Sequence, residues 1–319
     1  TEILASYNLP QLSEAYNATP LYKEGYYGNG TNVGIIDYYG DPDILQQIAY
    51  FDHVYHLPPP PSINIVPIGQ YNPYFGLCTG WAIEESLDVE AVHSMAPMAN
   101  ITIYNPSIPD LATVIGYIDQ QHKVDVVSMS FGTPERDIME IPFSMVIQTE
   151  YYFMLGTLEG ISFIASSGDG GGEGYSIGQP LGGIVWPSSS PFVTSAGGTT
   201  VYLSCKTAEQ EAWSYSPKGA ASTGGVSILF PQPWYQSMEG PFSTVEGRMT
   251  PDIGLNANIY PGVNVVLPGN LTLIIGGTSE SSQLFAGLLA LLISKLHTKF
   301  GLMNPLIYTL AENYYNKAF

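Results

Sequence analysis

Four short apolar runs separated by amphipathic segments are the feature that most restricts the fold of this sequence. The runs have the length and composition of buried strands, and they lie at 32–37 (NVGIID), 101–104 (ITIY), 124–130 (VDVVSMS) and 161–166 (ISFIAS). Helical periodicity appears in the intervening segments, around 81–95, 109–121 and 138–160. Strands that alternate with helices predict an α/β fold, in which helices cover both faces of a parallel β-sheet.

Residues 170–275 read as a less regular part of the same domain. They are rich in Gly and Pro, which predicts shorter strands and loops, and a final helix is expected from near Ser279 to about His297. Pro58–Pro61 predicts a stiff polyproline II connection, because the strand pattern resumes directly after it. No internal repeat or long charge run divides the sequence, so we expect a single domain over residues 1–319.

Acidic side chains greatly outnumber basic ones, with 28 Asp and Glu against 9 Lys and Arg and a formal net charge of −19. This balance excludes a nucleic-acid partner and disfavours anionic lipid, because both need a cationic surface. A disordered acidic tail is excluded by 23 Tyr and a hydrophobic fraction of 45%. Near pH 3 most carboxylates are neutral, so the chain would carry only modest positive charge. The composition suits an acid-exposed protein and, equally, an ordinary acidic one.

Several features are compatible with an extracellular location. The sequence begins at Thr1 without a signal peptide, which predicts a processed or trimmed product. Its most apolar stretch, Leu284 to Ile293, is about half of the roughly 20 residues that a membrane span needs. Cys78 and Cys205 form a disulfide or remain thiols, because their spacing does not fix their geometry. Four Asn-x-Ser/Thr sequons are candidate glycosylation sites, at Asn17, Asn29, Asn100 and Asn270.

The segment 276–279 (GGTS) has the form of a nucleophile position. A serine in the first turn of a buried helix is a common position for a nucleophile, and the two glycines before it allow the backbone to approach a substrate closely. The positive end of the helix then favours the negative charge that develops during attack. Ser279 is therefore a candidate nucleophile, and the alternative is that Thr278 or Ser279 merely caps the helix.

Glu84 and Asp88 form the second candidate feature. On a helix they lie one turn apart, and the same stripe continues through Ala91, Val92 and Met95, so the two carboxylates share an apolar face. Neighbouring buried carboxylates tend to share a proton, which is acid–base machinery for low pH. The alternative is a solvated acidic face, and Glu85 fits that exposed role better than Glu84.

The third feature is Asp169 in the segment 166–172 (SSGDGGG), which follows a predicted strand. Sites in parallel sheets assemble at the carboxyl ends of strands. Asp169 forms either a simple Asx turn or a neutral carboxylic acid that donates a hydrogen bond to an oxyanion.

A Ser-His-Asp arrangement finds no support in the sequence. His93 lies on a different helix face from Glu84 and Asp88, and no histidine is obviously paired with Asp37 at the end of the first strand. At pH 3 an imidazole is protonated and cannot act as a base. A carboxylate base fits this composition better.

Together the three features resemble the sedolisin family, the serine-carboxyl peptidases with a subtilisin-like fold. The family pattern is a Glu and an Asp four residues apart, then Ser-Gly-Asp-x-Gly, then Gly-Thr-Ser-x-Ser. This chain has Glu84 and Asp88, SGDGG at 167–171 and GTSES at 277–281, in that order. The likeness extends to plainer stretches, including 87–101 and 186–200, and the segment 7–17 (YNLPQLSEAYN) resembles the start of a mature enzyme after removal of its propeptide.

The resemblance implies a role for each candidate residue. Ser279 would attack the scissile carbonyl, Glu84 would act as general base, and Asp88 would orient Glu84. Asp169 would be the protonated donor of the oxyanion hole. The family usually has Pro where this chain has Gln283, a proline that the chemistry does not require.

The resemblance also implies a calcium site, whose ligands in the family would lie beyond Phe319. We assign no calcium ligand within residues 1–319, which offer no obvious cage of six to eight oxygens. Three explanations stay open: a cleaved chain whose C-terminal fragment remains bound, a trimmed protein, or a member that lost the site.

The sequence thus predicts a secreted acid endopeptidase acting on peptides or unfolded protein, with maximal activity below about pH 5. The alternative is a catalytically silent structural or binding module of an extracellular assembly. Cleavage of internal bonds and removal of tripeptides remain equally open. Aromatic loops around Trp234, Tyr235 and Tyr260 either line a substrate cleft or pack structurally.

Overall fold

A computed structural model describes residues 6–172, 183–203, 208–237 and 244–318 of the chain. The strands, in chain order, are β1 (Ser6–Asn8), β2 (Asn32–Ile36), β3 (Ile63–Ile68), β4 (Asn100–Pro106), β5 (Val126–Met129), β6 (Thr133–Pro134), β7 (Ser162–Ser166), β8 (Val185–Trp186), β9 (Val193–Leu203), β10 (Ala208–Ala212), β11 (Ser214–Tyr215), β12 (Ala220–Ala221), β13 (Gly225–Pro231), β14 (Gly247–Thr250), β15 (Ile253–Asn256), β16 (Gly262–Leu267) and β17 (Leu271–Ile275). The α-helices are α1 (Leu12–Ala15), α2 (Thr19–Lys23), α3 (Ile44–Tyr55), α4 (Pro73–Thr79), α5 (Trp81–Met95), α6 (Leu111–Gln121), α7 (Phe143–Leu158), α8 (Thr278–Leu296) and α9 (Asn304–Ala318).

The four predicted strands form the centre of the main sheet as β2, β4, β5 and β7. Six strands run in the order β3-β4-β2-β5-β7-β9, and every neighbouring pair among them is parallel. At the edge, β9 also pairs with β15 in parallel and with β10 antiparallel. The predicted parallel sheet is therefore confirmed, with one antiparallel strand at its margin.

Helices cover both faces of this sheet because its central strands are apolar on both sides. On β2, Val33 and Ile35 join an apolar cluster with residues of α3, α5 and α8. Ile36 enters a second cluster with residues of α6 and α7. The period of two along a strand thus divides the buried side chains between two layers, as expected for a parallel sheet buried on both faces.

The strand order reverses direction beside β2, and this reversal fixes where a site can form. The chain leaves β2 for the outer strand β3, returns to β4 on one side of β2, and then crosses to β5 on the other. In open α/β sheets, ligands bind at the carboxyl ends of strands where such a reversal occurs. Asp37, Ser130 and Asp169 follow β2, β5 and β7, respectively, at that edge.

Helices α5 and α8 pack closely against each other on one face of the sheet. Gly287 on α8 makes this approach possible, because a Cβ atom at this position would lie 2.5 Å from Cβ of Met95 on α5. Within the described ranges, none of the helices combines the length and the apolar character needed to cross a membrane.

Candidate active site

The predicted carboxylate pair lies on α5, one helical turn apart. Asp88 is fully buried and Glu84 is partly buried. Oε1 of Glu84 and Oδ1 of Asp88 are both buried without a hydrogen-bond partner among the described residues. An unpaired buried carboxylate oxygen is costly, and a proton shared by the pair would relieve both oxygens.

The charge state of this pair is set mainly by burial. Burial raises the pKa of Glu84 to about 7, and a hydrogen bond from the Ser279 hydroxyl opposes the rise. The pKa of Asp88 is also raised well above its usual value, first by burial and then by the nearby Asp37 and Glu84. The pair therefore retains protons at pH values where exposed carboxyls have lost them.

Asp37 adds a third carboxyl to this region. It lies at the end of β2, it is fully buried, and neither of its carboxylate oxygens has a hydrogen-bond partner in the described part of the chain. Burial raises its pKa well above the usual value, and Glu85 and Glu84 add to the rise. We call Asp37, Glu84 and Asp88 the carboxyl cluster. The sequence suggested Asp37 only as an orienter of a histidine, whereas the structure places it among carboxyls.

The expectation that Glu85 occupies the solvated face of the helix is wrong. Glu85 is 0% exposed, and it accepts hydrogen bonds from Asn105 Nδ2 at 2.7 Å and from the backbone amide of Asp41 at 3.2 Å. Helix α5 is enclosed on nearly all sides, so it has no acidic face in water. Burial raises the pKa of Glu85 to about 8, although the hydrogen bond from Asn105 opposes this.

Ser279 lies in the first turn of α8, where the sequence predicted it. The N-cap position is Gly277, which has a φ of 144°, and no side chain caps the helix. The alternative that Thr278 or Ser279 serves as the N-cap is therefore wrong. Gly277 also keeps the site compact, because a Cβ there would lie 2.9 Å from Oδ2 of Asp169.

Asp169 is bonded to the start of the same helix. Its Oδ1 accepts hydrogen bonds from the backbone amide of Thr278 at 2.7 Å and from the Thr278 hydroxyl at 2.9 Å. Burial raises the pKa of Asp169, and the two bonds from Thr278 oppose the rise. The carboxyl thus contacts a segment 109 residues away rather than forming a simple turn with its own loop.

Gln283 and Ser130 complete the polar contacts around Asp88. Nε2 of Gln283 donates to Oδ2 of Asp88 at 2.5 Å and to the hydroxyl of Ser130 at 3.0 Å. The sequence identified Gln283 only as a departure from the family pattern. Its spacing of four residues from Ser279 was the signal that placed both side chains on one face of a helix.

A cavity of about 510 Å³ lies beside this group. A smaller pocket of about 260 Å³ contains Glu84 and Ser130, and it shares Trp81 and Phe131 with the larger cavity. The larger cavity is lined mainly by aromatic and apolar side chains, among them Tyr38, Tyr39, Trp81, Leu111, Phe131, Met145 and Trp186.

The aromatic residues suggested from the sequence as a cleft lining have other surroundings. Tyr235 is buried, and its hydroxyl donates to the carbonyl oxygen of Pro191. Trp234 is 72% exposed and Tyr260 is 54% exposed, and neither lines the cavity beside Glu84.

Four of the five histidines lie at the end of a helix or against an aspartate. His56, His122 and His297 take the left-handed C-cap positions of α3, α6 and α8, where an imidazolium also complements the helix dipole. His93 contacts Asp52, with 2.7 Å between Nε2 and Oδ1.

No group of three or more Asp, Glu, His or Cys side chains in the described ranges is arranged to hold a metal ion. Cys78 is exposed and forms no disulfide with a described residue, while Cys205 lies outside those residues, so its pairing stays a prediction.

Known proteins resemble this chain along most of its length. The model of the subtilase family matches residues 77–306, which include Glu84, Asp88, Asp169 and Ser279. Kumamolisin from Bacillus sp. strain MN-32 is 32% identical over 316 residues, covering 96% of this chain and 55% of that protein. Tripeptidyl-peptidase 1 from Rattus norvegicus is 29% identical over 249 residues, covering 71% of this chain and 42% of that protein.

The fold also has a close structural counterpart. A structure of Pseudomonas sedolisin, described as a serine-carboxyl proteinase complexed with two molecules of pseudo-iodotyrostatin, superposes with a TM-score of 0.84 at 24% identity. The match covers 99% of this chain and 88% of that one. The chain spans about half the length of the curated relatives it matches. Its sequence and its fold together show that the chain belongs to the sedolisin family of serine-type peptidases, within the subtilases.

Proposed function

We propose that this chain is an acid serine-carboxyl peptidase that cleaves peptide bonds through an acyl-enzyme on Ser279. One observation carries the proposal: the Ser279 side chain lies close enough to Glu84 to lower its pKa, and Glu84 is backed by Asp88 one turn further along α5. A nucleophile in contact with a base that a third group orients is the general signature of covalent catalysis.

In the first step, the Ser279 oxygen forms a bond to the scissile carbonyl carbon, and its proton passes to Glu84. The carbonyl oxygen becomes an oxyanion at the start of α8, where the helix dipole favours negative charge. Asp169 supplies a hydrogen bond to this oxyanion from its second carboxyl oxygen, Oδ2, because Oδ1 is already occupied by Thr278.

In the second step, Glu84 returns the proton to the leaving amine, and the peptide bond breaks to leave an ester on Ser279. A water molecule then attacks the ester while Glu84 takes its proton; the acyl–oxygen bond breaks, Glu84 passes that proton to the Ser279 oxygen, and the carboxylic acid product leaves. Asp88 acts through Glu84 in both steps, because the two neighbouring carboxyls share one proton.

The proposed chemistry is restricted to acid by Asp169. A carboxyl donates a hydrogen bond only in its protonated form, and burial raises the pKa of Asp169 to extend that form towards higher pH. The carboxyl cluster, in contrast, must have lost its first proton to act as a base. Asp169 must stay protonated to donate while the Glu84–Asp88 pair keeps one proton, so we expect an optimum below about pH 5.

The substrate and the setting follow from the same features. The cavity beside Trp81 suits an apolar or aromatic side chain of a peptide, because its lining is mainly aromatic and aliphatic. We propose a secreted enzyme of acidic surroundings, acting on peptides or unfolded protein as one domain. Calcium, which the family resemblance implies, and glycans on the sequons belong to this proposal.

The deciding experiment is hydrolysis of an acid-denatured protein between pH 2 and 7 by the wild type and by Ser279→Ala. Cleavage limited to acid and abolished in Ser279→Ala supports the proposal. A neutral optimum, or unchanged cleavage by the variant, contradicts it. If the wild type hydrolyses nothing, even with added calcium and any C-terminal fragment of the same precursor, the alternative of a catalytically silent binding module is favoured instead.

A further inference from the structure

Gln283 occupies a position on α8 that mirrors the position of Asp88 on α5. Ser279 and Gln283 are four residues apart on α8, as Glu84 and Asp88 are on α5, and the two helices pack together. Ser279 lies close enough to Glu84 to lower its pKa, and Gln283 donates a hydrogen bond to Asp88. Two helices thus meet through two matched pairs, of which only the first contains the reacting atoms.

The contacts of Gln283 fix its amide group. The residue is 0% exposed. An amide nitrogen has two hydrogens, and those of Gln283 point to Oδ2 of Asp88 at 2.5 Å and to the hydroxyl of Ser130 at 3.0 Å. The amide oxygen has no hydrogen-bond partner in the described part of the chain. The nitrogen therefore satisfies one oxygen of Asp88 and leaves its buried Oδ1 without a donor.

We propose that Gln283 is a positioning residue that holds Asp88 in its ionised form, with Oδ1 left available for the proton shared with Glu84. The inference rests on the proposed function, because it explains how the Glu84–Asp88 pair keeps one negative charge in acid and can therefore act as a base. A neutral amide suits this role, since it donates to a carboxylate without bringing a further titrating group into the cluster.

The charges around Asp88 make such a donor necessary. Glu84 faces it from α5 and Asp37 from the end of β2, and both oppose its ionisation. Asp169 acts on Glu84 in the same sense from the loop after β7. Ser130, after β5, and Gln283, on α8, both lower the pKa of Asp88 and so favour its ionised form, and Gln283 does so through a direct hydrogen bond. The amide nitrogen of Gln283 donates one hydrogen to the hydroxyl of Ser130, and this contact orients the amide so that its other hydrogen points at Asp88.

The test compares pH profiles of kcat and KM for the wild type, Gln283→Met and Gln283→Glu. Methionine keeps the volume but cannot donate, so Asp88 should ionise less readily. We expect the acid limb of the kcat profile to move up by roughly one pH unit, a tenfold loss on that limb, with little change in KM. A limb that stays in place or moves down overturns the proposal; a downward move would mean that Asp88 is protonated and donates to the amide.

Gln283→Glu provides a rescue that a merely structural role does not predict. A protonated glutamic acid donates a hydrogen bond, whereas a glutamate adds a negative charge to the cluster. Activity should therefore approach that of the wild type at the lowest pH and fall earlier as the pH rises. Equal activity of Gln283→Glu and Gln283→Met at every pH contradicts the proposal.

Gln236 supplies a matched control. It is also a buried glutamine whose amide contacts an aspartate with a fully buried side chain, Asp252, and its nitrogen donates to Met249, Asp252 and Tyr308 rather than to the carboxyl cluster. Gln236→Met should lower stability without moving the acid limb. A shift equal to that of Gln283→Met would show that the effect is general and would overturn the proposal.

A measurement that is independent of turnover separates this inference from the proposed function. The free energy of unfolding is measured between pH 2 and 9 for the wild type and Gln283→Met. Loss of the donor raises the folded-state pKa of Asp88, so the variant should lose more stability than the wild type as the pH rises. If the wild type hydrolyses nothing, the proposed function fails, yet this difference still decides the role of Gln283; its absence refutes that role.

Discussion

Asp169 and Thr278 are joined by two hydrogen bonds that end on a single oxygen, with the amide and the hydroxyl of Thr278 both donating to Oδ1. The Thr278 hydroxyl in turn accepts a hydrogen bond from the amide of Gly168 at 3.0 Å. These contacts leave Oδ2 as the oxygen that can carry a proton. They also attach the loop after β7 to the first turn of α8, so the donor and the nucleophile are held by one local network.

Replacement of Asp169 by Asn should change the pH dependence more than the maximal rate. The amide oxygen of Asn accepts from Thr278 as Oδ1 does, while its NH₂ group donates at every pH. We expect kcat/KM to fall less on the alkaline side of the profile, so that activity extends towards neutral pH. Asp169→Ala should lose about 100- to 1,000-fold in kcat. An unchanged alkaline limb in Asp169→Asn would remove Asp169 from the oxyanion site.

Substitution of Gly287 should impair catalysis from a distance. A Cβ at this position meets Cβ of Met95 at 2.5 Å, so Gly287→Ala must separate α8 from α5. We expect kcat to fall roughly 10- to 100-fold, because small displacements of reacting groups are costly. Gly116→Ala is the control, since its Cβ meets the Tyr152 ring at 2.8 Å on the opposite face of the sheet. Calorimetry should show destabilisation of both, and stopped-time assays should show lost turnover only in Gly287→Ala.

Stability should be higher in acid than at neutral pH. Burial raises the pKa of Glu85 to about 8 and of Asp119 and Glu150 to about 7. A carboxyl whose folded-state pKa lies above its unfolded value stabilises the fold fully below the unfolded value, and this contribution is lost as the pH rises through the folded one. The free energy of unfolding, measured with urea, should therefore decrease between about pH 4 and pH 8.

Glu150→Gln should remove part of the decrease in unfolding free energy between pH 4 and pH 8. Glu150 accepts hydrogen bonds from Trp186 Nε1 at 2.8 Å and from the Ser190 hydroxyl at 2.7 Å, and an amide keeps the shape of the protonated acid. The variant should gain on the order of 3 kcal/mol relative to the wild type between pH 4 and pH 8. Glu312→Gln, at an exposed position, serves as the control. Parallel curves for the wild type and Glu150→Gln would show that Glu150 does not titrate in this range.

The aromatic cavity should determine which peptides are cleaved well. Met145 on α7 lines the cavity, and Met145→Lys would place a charged group in an apolar site. We expect KM for peptides with an aromatic side chain near the scissile bond to rise about 10- to 100-fold, with a smaller effect for small side chains. Met154→Lys, on the same helix but outside the cavity, is the matched control. Equal effects on both peptide classes would separate the cavity from substrate binding.

The periodicity of the sequence located the main elements because burial follows it closely. Helix α5 occupies residues 81–95 as predicted, and α8 begins at Thr278, one residue before the expected start. Strand β3 was not predicted, since Pro67 interrupts its apolar pattern; β9 was not predicted because Gly and Thr dominate its centre. Both lie towards the margins of the sheet, where composition is less restricted.

The site was predictable only as far as its motifs. Local sequence identified Glu84, Asp88, Asp169 and Ser279, which the fold brings to one edge of the sheet. It did not reveal that Glu85 is buried, because that depends on Asn105 from another strand. Assigning residues to a helical stripe presumes that the opposite face of the helix is exposed to solvent, and α5 has almost no exposed face.

The enclosure of α5 also bears on how the chain folds. This helix carries Glu84, Glu85, Asp88 and Glu90, and burial or neighbouring carboxyls oppose the ionisation of each. When the chain folds at neutral pH, the carboxylates of α5 must therefore take up protons from the solvent before the core can close around the helix. Refolding should be fastest in acid and should slow as protons become scarce, so the medium that suits the proposed chemistry is also the one in which the molecule can assemble.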